Sequence, residues 1–183
     1  TTDADTREMI RIDQALMAHG RALAPTQPFD GAARSMQVAG RELTLGHEDN
    51  AVSGGDLWIL DRANALLVVG DLVTLPVPFL DTACPQGWSE ALARIDALPF
   101  DRLVPGHGPV MDRMLWRRWR TGFDALLACA ASDAPVRHCS SQWIEQMGPL
   151  LTPAEHGAVH GMLAHYFSQR LRSERPDKDC QPA

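Results

Sequence analysis

Leu66-Leu67-Val68-Val69-Gly70-Asp71-Leu72 and, further on, Val104-Pro105-Gly106-His107-Gly108 decide the reading of this chain. Each is an apolar run rich in β-branched residues that stops at a glycine and presents one side chain able to bind a metal, Asp71 in the first and His107 in the second. A buried strand fixes the backbone, Gly70 or Gly106 permits a sharp exit, and the side chain then projects from a strand tip rather than from a mobile loop. Two such tips within one domain can deliver a carboxylate and an imidazole to a shared place.

Composition sets the frame around them. The 183 residues suffice for one ordinary domain. An apolar share of 45% and a charged share of 22% predict a globular chain. No apolar run approaches the roughly 20 residues of a membrane-spanning helix. A net charge of -6 argues against a broad nucleic-acid or anionic-membrane surface. Arg113, Arg117, Arg118 and Arg120 are interleaved with Trp116 and Trp119, but these tryptophans fall on a helical apolar stripe and the arginines form its solvated rim, so no nucleic-acid partner is expected. Cys84, Cys129, Cys139 and Cys180 lack C-x-x-C spacing. Cys129 and Cys139 flank a Pro-containing connection. They either close a short disulfide loop, which implies a periplasmic or secreted protein, or are two buried thiols, which fits the cytoplasm.

Along the chain, Met9, Ile12 and Leu16 predict an amphipathic helix over Asp3 to His19 that stops at Gly20. Ala22 to Ala33 reads as a loop. Met36 and Val38, then Leu43 and Leu45, alternate around Ala39-Gly40 as a hairpin does. Strands over Leu57 to Leu60 and Leu66 to Val69 are joined by Asp61-Arg62-Ala63-Asn64. Leu75 to Gly87, with three prolines, reads as a loop over one sheet edge. Trp88, Leu92 and Ile95 place a helix on the sheet, Arg102 to Val104 a short strand. Three helices follow, marked by Trp116, Trp119, Phe123 and Leu126, by Trp143 and Met147, and by Val159, Leu163 and Tyr166. Asp177 to Ala183 is a polar, flexible tail.

From about Phe29 to Arg113 this order of elements, with its GD strand end and its PGHG, resembles the second half of the metallo-β-lactamase fold. The last helices resemble those of the quinoprotein relay system zinc metallohydrolases. The resemblance implies an α/β fold, the C-terminal half of an αββα sandwich followed by C-terminal helices. It divides the chain into a partial sandwich over 1–130, a helical extension over 131–175 and a tail over 176–183. It also implies two zinc ions and a zinc-dependent hydrolase acting on an ester, thioester, lactone or amide. Asp71 is then both a bridging metal ligand and the catalytic carboxylate, and His107 is a ligand of the second metal.

Two ligand positions of the family are not met. Its histidine before the GGD strand falls at Val52, and an aliphatic side chain cannot coordinate zinc. His47, five residues earlier, reaches the site only if Glu48 to Asn50 fold back. The family's H-x-H-x-D-H is absent, and its usual place precedes the first helix, so it is expected ahead of Thr1. Half a sandwich leaves one sheet face in water at about 25 cal/mol for each Å². A second polypeptide, or an oligomeric partner, is therefore expected to complete the fold, with a small molecule as substrate. The alternative is a degenerate, metal-free binding or structural subunit, in which Asp71 caps its turn and His107 bonds within its loop. His156 and His160 share a helix face at the spacing of a metal pair, or stand in solvent.

Overall fold

The computed structural model describes residues 4–20, 29, 31 and 33–180, and the chain divides into two compact units, Thr1–Asp30 and Gly31–Ala183. The first holds α1 (Ala4–Ala18), whose Met9, Ile12, Leu16 and Met17 are exposed. The loop expected from Ala22 to Ala33 falls largely outside the described residues.

The second unit is one six-stranded sheet with helices. β1 (Arg34–Val38), β2 (Arg41–Glu48), β3 (Asp56–Asp61), β4 (Leu66–Gly70), β5 (Arg102–Pro105) and β6 (Met111–Asp112) lie side by side in chain order. The first hairpin turns at Ala39-Gly40, both at positive φ, as a two-residue connection between twisted strands requires. β3 passes to β4 through a 3₁₀ turn capped by the Asp61 carboxylate, which accepts from the Asn64 N–H. β4 and β5 are the one parallel pair among the described strands. A parallel pair needs a crossover, and α2 (Pro85–Asp96) supplies it. α2 starts at Pro85 rather than at Trp88, because a proline at the first helical position has no amide bond to lose.

Strand register assigns the two faces. Leu60, Leu67, Leu103 and Met111 align across β3 to β6 and are fully buried. Trp88 and Ile95 of α2, and Trp116, Trp119 and Phe123 of α3 (Arg113–Ala130), pack in the same core. α4 (Val136–Met147) adds Trp143 and Met147, and α5 (Glu155–Tyr166) adds Val159 and Leu163. The helices beyond residue 131 thus share one unit with the sheet. Ile59, Val68 and Val104 align on the opposite face, where Leu57 is 47% and Val68 36% exposed. That face is apolar in sequence and open to water.

Two details tie the sheet to its helices. A methyl group on Gly46 would sit 2.0 Å from the Trp58 ring, so the indole lies flat on the β2 backbone. Its N–H donates to buried Glu48, which Arg94 of α2 also holds at 2.6 Å. Two disulfides are present, Cys129–Cys139 between α3 and α4, and Cys84–Cys180 between the start of α2 and the C-terminal tail. The tail, predicted from its polarity to be flexible, is fastened as far as residue 180. Residues 181–183 lie outside those described.

Candidate functional site

β4 and β5 run parallel, so their C-terminal tips open on the same end of the sheet. Gly70 leaves β4 at φ 51°, which turns the chain sharply before Asp71. The Gly106 N–H donates to the Gly70 carbonyl at 2.7 Å and to Val73 at 3.1 Å, closing the two tips together. A Cβ at Gly106 would stand 2.3 Å from the Asp71 carboxylate and 2.7 Å from the Gly70 carbonyl carbon. Only a bare Cα lets the two tips approach so closely.

The result is that His107 Nε2 and Asp71 Oδ1 are 3.6 Å apart, with the side chains 55% and 50% exposed. His107 has one contact through its backbone and one through its ring. Its main-chain carbonyl accepts from the Leu75 N–H at 3.1 Å, and its ring meets the Phe79 ring edgewise at 5.0 Å. An imidazole nitrogen and a carboxylate oxygen are zinc ligands by type, and donors on neighbouring corners of a zinc tetrahedron stand about 3.3 Å apart. The pair therefore fits two corners of such a site. Among the described residues, no three His, Cys, Asp or Glu side chains are grouped so as to hold a metal ion.

The other expected participants make the following contacts. His47 of β2 pairs with Leu57 of β3, and its Nε2 is 3.5 Å from where a Cβ on Gly55 would stand. Glu48 to Asn50 follow from the end of β2. They run to α2, where the Asn50 carbonyl packs on Gly87 and the Ala51 carbonyl accepts from Cys84. Val52 is buried in the core, 7% exposed, and its carbonyl accepts from Thr82. His160 Nδ1 is 2.6 Å from the hydroxyl of buried Ser140, a link between α5 and α4. The Arg113 guanidinium donates to the Phe100 and Leu98 carbonyls, Arg118 to Gln146, and Arg120 pairs with Asp124. These arginines are engaged within the chain. No described helix is long and apolar enough to cross a membrane.

Against solved structures, the chain is similar to a stereoselective inverting sec-alkylsulfatase, Pisa1 from Pseudomonas sp., with 13% identity, 87% of this chain and 29% of that one covered, and a TM-score of 0.52. The fold is the metallo-β-lactamase fold. A metallo-β-lactamase from Pontibacter korlensis matches at 17% identity over 57% of this chain and 51% of its own, with a TM-score of 0.46. The DIM-1 metallo-β-lactamase matches at 15% over 59% and 53%, with a TM-score of 0.45. The chain thus spans about half the length of these lactamases and under a third of the alkylsulfatase. No protein-family model and no curated protein sequence matches it.

Proposed function

We propose that this chain is the C-terminal part of a zinc-dependent hydrolase with the metallo-β-lactamase fold, acting on an ester, thioester, lactone or amide. One observation carries the proposal: a carboxylate and an imidazole delivered by two strand tips to within 3.6 Å of each other, in water, with a glycine packed against the carboxylate. Asp71 and His107 would hold the metal, and Asp71 would also orient the attacking water. Zinc, when bound, supplies acidity to that water and polarises the substrate carbonyl. The half-exposed side chains leave room for both substrate and further ligands.

Those ligands would come from a second polypeptide, or a further copy, seated on the open sheet face. Leu57 and Val68 there are apolar and exposed, and covering them gains about 25 cal/mol for each Å² removed from water. The two disulfides support a periplasmic or secreted setting, the one in which a quinoprotein-associated hydrolase would work. The test is hydrolysis by the natively purified, zinc-supplemented protein across esters, thioesters, lactones and amides. Turnover of one class that disappears in Asp71→Ala is the expected result. Turnover unaffected by that substitution would contradict it, and the absence of both metal and turnover would favour a metal-free binding subunit.

A further inference from the structure

Residues 72–84 leave the sheet directly after Asp71 and contain no regular secondary structure, yet nearly every turn of this segment is tied down. Three indole N–H groups hold its first part, with Trp88 donating to the Leu72 carbonyl at 3.1 Å, Trp119 to Thr74 at 3.1 Å and Trp143 to Pro76 at 2.8 Å. The C-terminal segment holds the second part. Arg170 donates to the Leu80 carbonyl at 3.0 Å and to the Ala83 carbonyl, the Tyr166 hydroxyl donates to Asp81 at 2.9 Å, and Cys84 is bridged to Cys180.

Arg170 is the costly part of this arrangement. It is 3% exposed, and a guanidinium removed from water is tolerated only when its donors are used and its charge is met. Here two carbonyls take donors from Nε and one terminal nitrogen, and an Asp179 oxygen of the tail stands 2.6 Å from the other, meeting the charge without hydrogen-bond geometry. Its aim depends on a widened turn over Phe167–Leu171, where the Arg172 N–H returns to the Phe167 carbonyl at 2.9 Å. Such π turns interrupt α-helices where a side chain has to be re-aimed. The residue next to Leu80, the first carbonyl that Arg170 holds, is Phe79, whose ring abuts His107.

We propose that Phe79 is a positioning residue that sets the orientation of the His107 ring. Arg170, Tyr166 and the Cys84–Cys180 bridge act through it, so the C-terminal segment is a working part of the site rather than an appendage. The meaning for catalysis rests on reading His107 as a metal ligand. The geometry does not, and it is measured without metal.

The experiment follows the His107 ring proton signals of the isotopically labelled full chain by NMR, zinc-free and at one alkaline pH. The Phe79 ring current displaces these signals in the unaltered protein. Phe79→Leu is expected to abolish the displacement and Phe79→Tyr to keep it. Arg170→Met, Tyr166→Phe and the double Cys84→Ser, Cys180→Ser variant are each expected to reduce it. The two milder variants decide the matter if Arg170→Met does not fold. Unchanged signals in Phe79→Leu would overturn the contact. Signals moved by Phe79→Leu but left in place by all the C-terminal variants, whatever their melting temperatures, would overturn the role of the C-terminal segment.

Discussion

Gly106 is where sequence, backbone and site meet most closely. A methyl group there collides with the Asp71 carboxylate at 2.3 Å and with the Gly70 backbone at 2.7 Å, and backbone cannot yield as a flexible side-chain end can. Gly106→Ala is therefore expected to separate the two strand tips and to cost about 1–3 kcal/mol, the usual range for overpacking. A thermal melt reads the stability, and the loss of the contact between Asp71 and His107 reads the site. Tyr166 offers a second residue-scale test, because it is the sole tyrosine of the chain. Burial and the bond to Asp81 push its phenol up from 10.0 to about 12. Since the folded value is raised, the contribution of this bond is complete below pH 10 and is lost as the pH rises through about 12. Tyrosinate absorbance should accordingly appear near pH 12 in the folded chain and near the ordinary value in the urea-unfolded one. Ionisation at the ordinary value in both states would show that the Asp81 bond is absent in solution. That Asp71 and His107 stand at strand tips was legible in the sequence because each follows an apolar run that stops at a glycine. Phe79 was not, since its role comes from a long-range ring contact that no local pattern encodes.

At the scale of elements, three of the core tryptophans do two jobs. Trp88, Trp119 and Trp143 fill the space between helices, and their indole N–H groups satisfy alternate carbonyls of the segment after Asp71. Trp119→Phe keeps most of the packing but leaves the Thr74 carbonyl buried and unpaired, which costs about 1–3 kcal/mol. The urea midpoint should fall accordingly, with faster amide exchange confined to residues 72–84. Unchanged exchange there would mean that the indole bond does not order the segment. The apolar stripes predicted the helices well, because burial on one face imposes the helical period. The ends were less legible. Three prolines around residues 76–85 read as a continuous loop, although the last begins α2, and the two-residue β6 is too short to carry any alternation. The polar tail read as flexible because its fastening depends on a cysteine 96 residues away in sequence.

For the whole molecule, the open sheet face and the crosslinks dominate. Cys129–Cys139 closes a separation of 10 residues and Cys84–Cys180 one of 96, so the longer constrains the unfolded chain more. Chain-entropy arithmetic gives about 3 and about 5 kcal/mol respectively. Non-reducing peptide mapping should recover these two links, and reductant should lower the melting temperature, chiefly by releasing the tail. Free thiols at all four positions would contradict both the fastening and the proposed oxidising compartment. The pairing of Cys129 with Cys139 was one of two readings that their spacing allowed, whereas Cys84 with Cys180 could not be anticipated, because the fold alone brings them together. The order of strands and helices around the sheet was legible in the sequence.

The central claim is that Asp71 and His107 share one ion. Zinc content of the natively purified, assembled protein tests it most directly, measured alongside Asp71→Ala and His107→Ala variants of unchanged fold. The account predicts bound zinc in the unaltered protein and a loss of zinc in each variant. Zinc absent from the unaltered protein, or retained undiminished in both variants, would contradict it.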